Sequence, residues 1–300
     1  IIKIYIALSS NKFDVVHVSG GSFQVKTLIA ARLTRAKVIW HLNDTHTPAI
    51  VLFAFKFFSK LPDGFIFASE RTKNYYSKSN KEILLKPFSV IPAPIDPKLI
   101  NNLKNYYKPF ILKDFKNEGI VVGSVGNISS VKGYEVLINS CVQLEKQVGI
   151  PISINILGNI FANQFSYSKK LKSLLNGSNV KLNIIQDSTD VMRHLKELDV
   201  FVCSSHYESS PMAVWEALAA GCLVVSSNVG DVDMYIENQF NGYIYQAGNI
   251  IQLTEILRCI VCDAIPLEQV RSRASVTVLE KLNVKVIAER TLNFYLSVIN

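Results

Sequence analysis

The sequence predicts an α/β protein carrying two parallel sheets, and three observations predict it. Short runs rich in Val, Ile and Phe alternate along the chain with longer segments of helical periodicity, the pattern of repeated strand–helix units. Those runs are continuously apolar, as strands covered by helices on both faces are. Finally, 300 residues at roughly 150 per domain leave room for two domains, and a Pro- and Asn-rich stretch from Pro92 to Asn117 breaks the rhythm between them.

In the first part the strands are placed at Asp14–Val18, Lys37–Leu42, Gly64–Ala68 and Phe88–Ile91. Thr47 and Pro48 read as the cap and first helical position of a segment Ala49–Lys60. That segment is rich in Phe and carries two Lys, so it is expected to pack in the core, with contact to an anionic membrane surface as the other reading. The second sheet is placed at Gly119–Val125, Ile152–Leu157, Val180–Ile185, Val200–Cys203 and Leu223–Ser226, followed by a helical tail over Leu267–Asn300. The resulting domain limits are 1–96, a linker at 97–117, 118–282 and a C-terminal helix at 283–300.

Composition excludes several classes. Hydrophobic residues are 49% and charged residues 19%, with 14 Gly and 10 Pro, which removes disordered, collagen-like and low-complexity readings. The longest uninterrupted apolar run, Ala49–Phe55, is seven residues, far short of the roughly 20 that cross a bilayer. The chain opens on Ile1 without a basic leader or a small-residue cleavage site, so it is expected to start inside a domain, within a helix that precedes Asp14. Five cysteines, mostly in apolar surroundings, fit a reduced, cytoplasmic compartment. Cys259 and Cys262 have the gap of a metal knuckle, but no second pair follows, and they are expected to be buried helix residues.

The net charge of +8 is uneven: residues 1–117 hold 18 Lys or Arg against 7 Asp or Glu, residues 118–300 hold 14 against 17. The excess suits solubility, an acidic substrate or an anionic membrane surface. The lysines are spread singly without an aromatic platform, so nucleic acid is not expected as a partner.

Chemistry concentrates in two segments. Gly119–Val125, a small-residue loop through Gly126, and a helix after Lys132-Gly133 place a loop at the carboxyl ends of a doubly wound sheet, where ligands bind. Lys132 there adds a point charge to helix-end N–H donors, a combination that holds phosphate; a solvent-exposed loop Lys is the plain reading. Neither Gly-x-Gly-x-x-Gly nor the P-loop pattern is present. In the second segment Glu208 follows a strand, Pro211 starts a helix and Gly221 stops it. Glu216 lies in that otherwise apolar helix. Burial would demand a partner, which a polyol supplies with two hydroxyls; pairing with a nearby base, or a place at the helix's open edge, stays equally open.

These residues resemble the donor half of the family 4 retaining glycosyltransferases. The resemblance is carried by Glu208 and Glu216 eight positions apart, the following Ala-Leu-Ala-Ala-Gly-Cys-Leu-Val-Val-Ser-Ser, the loop at 229–233, Asn241-Gly242, and, upstream in the same order, Val90–Asp96, Val125-Gly126 and Lys132-Gly133. It covers about residues 14–300 and implies a glycosyltransferase B architecture, two Rossmann-like domains facing a cleft. The resemblance leads to the expectation that the chain starts after the family's first strand–helix unit. The resemblance further implies a nucleoside-diphosphate sugar as donor substrate, no cofactor and no metal, a saccharide or lipid-linked saccharide acceptor, and work in the cytoplasm or at the inner face of the membrane, in surface polysaccharide or glycolipid synthesis.

Carried over by residue, Lys132 neutralises the donor diphosphate, Glu216 accepts the ribose hydroxyls and Glu208 binds the transferred sugar. Gly126, Asn127, Gly133 and His206 border the donor, and Ser209, Ser210, Pro211 and Met212 offer backbone N–H groups to it. On the acceptor side the candidates are Gly20, Gly21, His41, Asn43 and Asp44. His41 and His46 read equally as plain loop residues, and His206 as a loop stabiliser. Many relatives carry an arginine where this chain has Asn127 or Ser129, which motivates a non-catalytic nucleotide-sugar-binding module as the rival reading. A UDP-sugar 2-epimerase on the same fold would need no acceptor, and an NAD-dependent dehydrogenase would need the absent glycine fingerprint.

Overall fold

The computed structural model describes residues 1–95, 114–188, 190–262 and 267–300. Contacts divide these into two units, Ile1–Pro94 with Glu208–Ser210 and Val284–Asn300, and Ile95–Tyr207 with Pro211–Asn283. Most of the linker expected at 97–117 lies outside the described residues. Its described end is not linker-like, since Asp114 caps a helical turn whose Phe115 is buried in the second unit's core.

The first unit holds β1 (Val15–Ser19), β2 (Lys37–Leu42), β3 (Gly64–Phe67) and β4 (Phe88–Val90) in a parallel sheet of chain order. Between them run α1 (Ile2–Ser9), α2 (Val25–Arg32), α3 (Ala49–Phe58) and α4 (Glu70–Ser79). Alternation along the strands sends Val16, Val18, Trp40, Leu42, Phe65 and Phe67 to one face, where they pack on Leu28, Phe55 and Tyr76. Each large side chain fully buried in this way contributes about 2–3 kcal/mol. Ser69 caps α4 by accepting from the Thr72 N–H.

The second unit opens with α5 (Phe115–Glu118). It then holds β5 (Ile120–Val125), α6 (Tyr134–Val148), β6 (Ile152–Leu157), α7 (Phe165–Ser173), β7 (Lys181–Ile185), α8 (Val191–Lys196) and β8 (Val200–Cys203). After these come α9 (Met212–Ala219), β9 (Leu223–Ser227), α10 (Val232–Tyr235), β10 (Tyr243–Tyr245), α11 (Ile250–Val261) and α12 (Leu267–Lys281). The six strands are parallel in the order β10-β9-β8-β5-β6-β7. Ile120, Val122, Val200, Val202, Leu223 and Val225 face a core shared with α6 and α11. Their neighbours Val121, Phe201, Cys203 and Val224 face a second core shared with α8, α9 and α12. Helices on both faces explain the continuous apolarity of these strands.

The chain ends in the first unit with α13 (Val284–Ile299), which covers the sheet face opposite Trp40 through Ile287, Phe294 and Val298 against Ile39 and Ile66. On this face His17 Nδ1 lies 2.5 Å from the Tyr295 hydroxyl and His17 Nε2 lies 3.1 Å from His41 Nδ1. Among the described residues the buried His41 Nε2 has no hydrogen-bond partner.

Four sequence expectations are corrected. Pro48, not Thr47, occupies the N-cap of α3, and the Thr47 hydroxyl and N–H bond the Tyr75 hydroxyl instead. α3 is core-packed along one side only: Phe55 is buried with Leu52 and Phe58 packed beside it, because a helix apolar all round meets the sheet on one side, leaving Ile50, Phe53 and Phe57 77%, 63% and 62% exposed. Cys259 is half-buried and Cys262 exposed, since the buried stripe of α11 runs through Leu253, Leu257 and Ile260 and Cys262 stands at its C-cap. The short strand β10 had no run long enough to announce it. Among the described residues no helix is long and apolar enough to cross a membrane.

Burial, and then the His17 ring beside it, push the His41 imidazole down to about 4, and burial also lowers His17. The unfolded chain binds a proton that the folded cluster refuses, so this contribution to stability is complete above the ordinary imidazole range and falls as pH drops toward about 4. Urea unfolding across that interval should lose stability with a slope of up to about 1.4 kcal/mol per pH unit per proton. His41→Gln should flatten the slope; parallel slopes in both proteins would contradict the assignment.

Candidate active site

In the six-stranded sheet the connections run outward in opposite directions from β5 and β8, which are neighbours. Their carboxyl ends therefore flank the crevice where a doubly wound sheet takes its ligand. The loop after β5 is fixed first. Gly126 donates to the Leu157 carbonyl and Ile128 to that of Asn159, both at 2.9 Å, while Tyr134 from the start of α6 donates its hydroxyl to the Gly126 carbonyl at 2.7 Å. A β-carbon on Gly158, at the end of β6, would stand 1.9 Å from the Gly126 carbonyl oxygen, so only glycine fits there. Asn127 is exposed between these anchors. A turn of 3-10 helix, Ser130–Lys132, then delivers Lys132 and Gly133. The aliphatic stem of Lys132 lies along Gly126, its Cε 3.0 Å from where a β-carbon would be.

The loop after β8 is tied to this one at three points. Ser204 Oγ donates to the Lys132 carbonyl at 2.9 Å and the His206 N–H to the Val131 carbonyl at 2.8 Å. Gly133 supplies the third: at φ +60° it lets the Ser204 carbonyl oxygen approach to 2.2 Å of its absent β-carbon. Ser227 braces the loop from β9, donating to the Ser205 carbonyl at 2.7 Å. The His206 ring sits beside Gly133, and its Nε2 is 2.9 Å from Glu135 Oε1 in the first turn of α6. The other oxygen of Glu135 accepts from the Tyr167 hydroxyl. Burial alone would raise the Glu135 carboxyl; the hydrogen bonds from His206, Tyr167 and its own N–H outweigh it and hold the group below the ordinary carboxylate range.

Pro211 occupies the N-cap of α9. Val214, Trp215, Ala217 and Leu218 bury one side of the helix, while Met212 is exposed and Ala213 and Glu216 are half-buried on the other. Glu216 thus stands on the helix's open edge, one turn from Met212, where no deep burial is imposed on the carboxylate. Glu208, Ser209 and Ser210 group with the first unit, where Thr45 Oγ1 donates to the Glu208 carbonyl at 3.1 Å and the Ala93 N–H to Ser210 Oγ at 3.4 Å.

Of the acceptor-side candidates, Gly20 and Gly21 turn the chain after β1 at positive φ. Asp44 faces inward: Ser22 donates to it through Oγ at 3.0 Å, and the Tyr76 hydroxyl donates to its other oxygen. Burial, with Asp44 beside it, holds the Tyr76 phenol above its ordinary range. His41 turns to the α13 face beside His17, whereas Asn43 and His46 are exposed. The structure therefore gathers Gly126, Lys132, Gly133 and His206 at one crevice and sets His41 and Asp44 into the fabric of the first sheet. Sequence reading missed Glu135, Tyr167 and Gly158; Glu135 is two residues past Gly133, but its partners are 71 and 32 residues away. Among the described residues no group of three or more His, Cys, Asp or Glu is arranged to hold a metal ion.

Gly133→Ala should cost at least about 1–2 kcal/mol from the left-handed backbone alone, with the clash against the Ser204 carbonyl added. Thermal unfolding checks this, and a variant as stable as the parent would show that the two loops are not locked as described.

Comparison with known proteins identifies the fold and the family. The family model for glycosyl transferases group 1 matches residues 111–275, more than half of the chain. A UDP-Gal:alpha-D-GlcNAc-diphosphoundecaprenol alpha-1,3-galactosyltransferase of Escherichia coli is 25% identical over 272 residues, 83% of this chain and 67% of that protein. The capsular polysaccharide biosynthesis glycosyltransferase CapH of Staphylococcus aureus is 31% identical over 133 residues, 43% of this chain and 37% of CapH. The chain therefore spans about two thirds of the first relative and little more than a third of the second. Among solved structures, Anabaena Alr3699/HepE in complex with UDP is similar with a TM-score of 0.80 at 19% identity, over 99% of this chain and 81% of that one. Staphylococcus aureus TarM in complex with UDP gives 0.78 at 17% identity, over 97% of this chain and 58% of that one. These likenesses show the glycosyltransferase B fold of two Rossmann-like units, and the family match establishes that the chain belongs to the glycosyl transferases of group 1.

Proposed function

We propose that the protein transfers a hexose-like sugar from a nucleoside-diphosphate sugar to a saccharide or lipid-linked saccharide, with retention of configuration, in the synthesis of a surface polysaccharide or glycolipid. The observation that carries this reading is the crevice between β5 and β8, where Lys132, the Gly133 turn and the start of α6 converge. Departure of a nucleoside diphosphate builds negative charge on its oxygens while the sugar becomes cation-like. A lysine and backbone N–H groups fixed in place stabilise that charge without reorganising. Glu216, open at the edge of α9, is free of the constraint of deep burial and suits two ribose hydroxyls. Glu208 is assigned to the transferred sugar, with the backbone of Ser209–Met212 beside it. This mechanism assigns no role to a metal or cofactor. The named E. coli relative acts on a diphosphoundecaprenol-linked substrate and CapH works in capsular polysaccharide synthesis, which supports a lipid-linked or polysaccharide acceptor here.

A membrane-surface site of action follows from the same reading. Ile50, Phe53 and Phe57 form one exposed stripe at helical spacing along α3, beside the exposed Lys56 and Lys60. Ile1–Pro94 holds 13 Lys or Arg against 5 Asp or Glu. An apolar stripe flanked by lysines is the composition that seats a helix at an anionic lipid interface.

Calorimetry with UDP, GDP, ADP and their sugar conjugates tests the donor site. One nucleoside diphosphate should bind; Glu216→Ala should weaken it by about 1–3 kcal/mol, and Lys132→Ala should weaken diphosphates far more than the bare nucleoside. Affinity unchanged in Glu216→Ala removes the ribose role, and equal losses for nucleoside and diphosphate remove the phosphate role. Product analysis by NMR of the anomeric centre decides retention. Co-sedimentation with phosphatidylcholine vesicles, with and without phosphatidylglycerol, tests the surface: binding should require the anionic lipid and be lost in Phe53→Asp/Phe57→Asp. Equal pelleting of parent and double variant would remove α3 from the interface.

A further inference from the structure

We infer that the second unit carries a lipid-facing patch of its own, on α7 and the turn before it, in which Phe161 and Phe165 enter the interface of an anionic bilayer and Lys169, Lys170 and Lys172 pair with its headgroups. The patch is separate from the exposed stripe of α3 in the first unit. It depends on neither the transfer reaction nor the residues assigned to the donor.

Charge is segregated within this part of the chain. Residues 118–300 hold 14 Lys or Arg against 17 Asp or Glu, yet the 40 residues 147–186 hold four Lys and no acid, which leaves 10 against 17 for the remainder. Three of those lysines, Lys169, Lys170 and Lys172, lie in α7, and all three are exposed. Among the described residues none of the three makes an ion pair. The carboxylates of the neighbouring α6 are turned elsewhere: Glu135 to His206 and Tyr167, Glu145 to the Ser178 hydroxyl and the Asn179 N–H. A cluster of unpaired lysines in an otherwise acidic stretch complements an anionic partner.

The aromatic rings identify that partner as lipid. Phe161, at the N-cap of a 3-10 turn over Ala162–Gln164, and Phe165, the first residue of α7, are 54% and 57% exposed. The helix is already secured on its inner side by the buried Ser168 and Leu171, with Tyr167 and Leu174 packed on the core, so the two rings are surplus to its packing. Phe165, Lys169 and Lys172 follow at i, i+4 and i+7 as one stripe, with Phe161 one turn ahead. On such a stripe the rings reach the acyl boundary while the lysine stems lie along the surface and keep their charges at headgroup level. A soluble polyanion would engage the lysines and leave the rings in water. α7 begins at the carboxyl edge of the sheet, where Tyr167 in its first turn is bonded to Glu135 beside the Gly133 turn. Contact here therefore sets the rim of the crevice at the surface to which a lipid-linked substrate is confined.

The test uses the full chain and phosphatidylcholine vesicles with and without phosphatidylglycerol. Trp40 and Trp215 are both fully buried, so the indole introduced by Phe165→Trp reports on the patch. Its emission should shift to the blue with the anionic vesicles and be quenched by brominated acyl chains, and should do neither with phosphatidylcholine alone. In co-sedimentation, Phe161→Ser/Phe165→Ser should bind anionic vesicles about tenfold more weakly. Lys169→Gln/Lys170→Gln/Lys172→Gln should lose about fivefold per lysine. All five positions are exposed, so thermal unfolding of both variants should match the parent. An indole that stays in water while the parent pellets, or equal pelleting of the parent and the phenylalanine variant, overturns the patch and leaves α3 to its own test. Heparin binding lost in the lysine variant, with an indole unmoved by vesicles, assigns the lysines to a soluble polyanion and overturns the lipid reading. A parent that binds no anionic vesicle overturns α3 and α7 together. Neither donor nor acceptor enters these measurements, so the transferase reading stands or falls separately.

Discussion

The second unit depends on one close approach, the Ser204 carbonyl against Gly133. No other residue type could stand at φ +60° with an oxygen 2.2 Å from the place of its β-carbon. Because it fits, the loop after β8 and the start of α6 move as one body, and two further bonds, from Ser204 Oγ to the Lys132 carbonyl and from the His206 N–H to the Val131 carbonyl, complete the lock. Everything assigned to the crevice is built on that lock. Lys132 immediately precedes the glycine, Glu135 follows two residues later, and His206 lies two residues past Ser204. A rigid base of this kind lets a small set of polar groups act at fixed positions, which is what electrostatic stabilisation of a departing anion requires.

The sheet explains why the polar groups collect there. Strands β5, β8 and β9 send alternate residues into two apolar cores, so neither face has room for a ligand. Only the carboxyl edge is left, and there the apolar runs stop in Ser204, Ser205, Ser226 and Ser227, all buried. Buried hydroxyls need partners; the bonds from Ser204 to Lys132 and from Ser227 to Ser205 join neighbouring loops to one another. The edge is thereby both polar and stiff.

The strands were legible because periodicity and β-branched content report a buried sheet directly: β2, β6 and β8 fall where their apolar runs do. β10 was not, since three residues carry no period. The helix at Ala49–Phe58 misled for a related reason, as seven consecutive apolar residues state that a segment is hydrophobic and not which side meets the sheet. Cys259 and Cys262 show the same limit, for one helical step separates the stripe of Leu257 and Ile260 from the half-exposed Cys259. At the candidate site, Lys132, Gly133 and Glu216 could be placed because a strand, a glycine turn and a helix start have local signatures. Glu216 was placed on the right helix, but burial was only one of the readings left open, and the half-buried edge is what the packing of Val214, Trp215 and Leu218 leaves it. The contact between Glu135 and His206 had no such signature. Glu135 looks like any first-turn glutamate on a helix, and its meaning comes from a ring 71 residues away.

Histidines in this chain show how one side chain takes opposite parts from its surroundings. His17 and His41 sit against each other under α13, with burial lowering both and the His17 ring lowering His41 further. They belong to the fabric that holds the C-terminal helix on the first sheet. His206 stands beside a carboxylate that two neighbouring side chains keep anionic. That bond fixes the orientation of the ring at folding and not at the moment a ligand binds. The physical difference between the two sites is a single carboxylate: His17 and His41 pack ring against ring, whereas the His206 ring is fixed by its bond to Glu135.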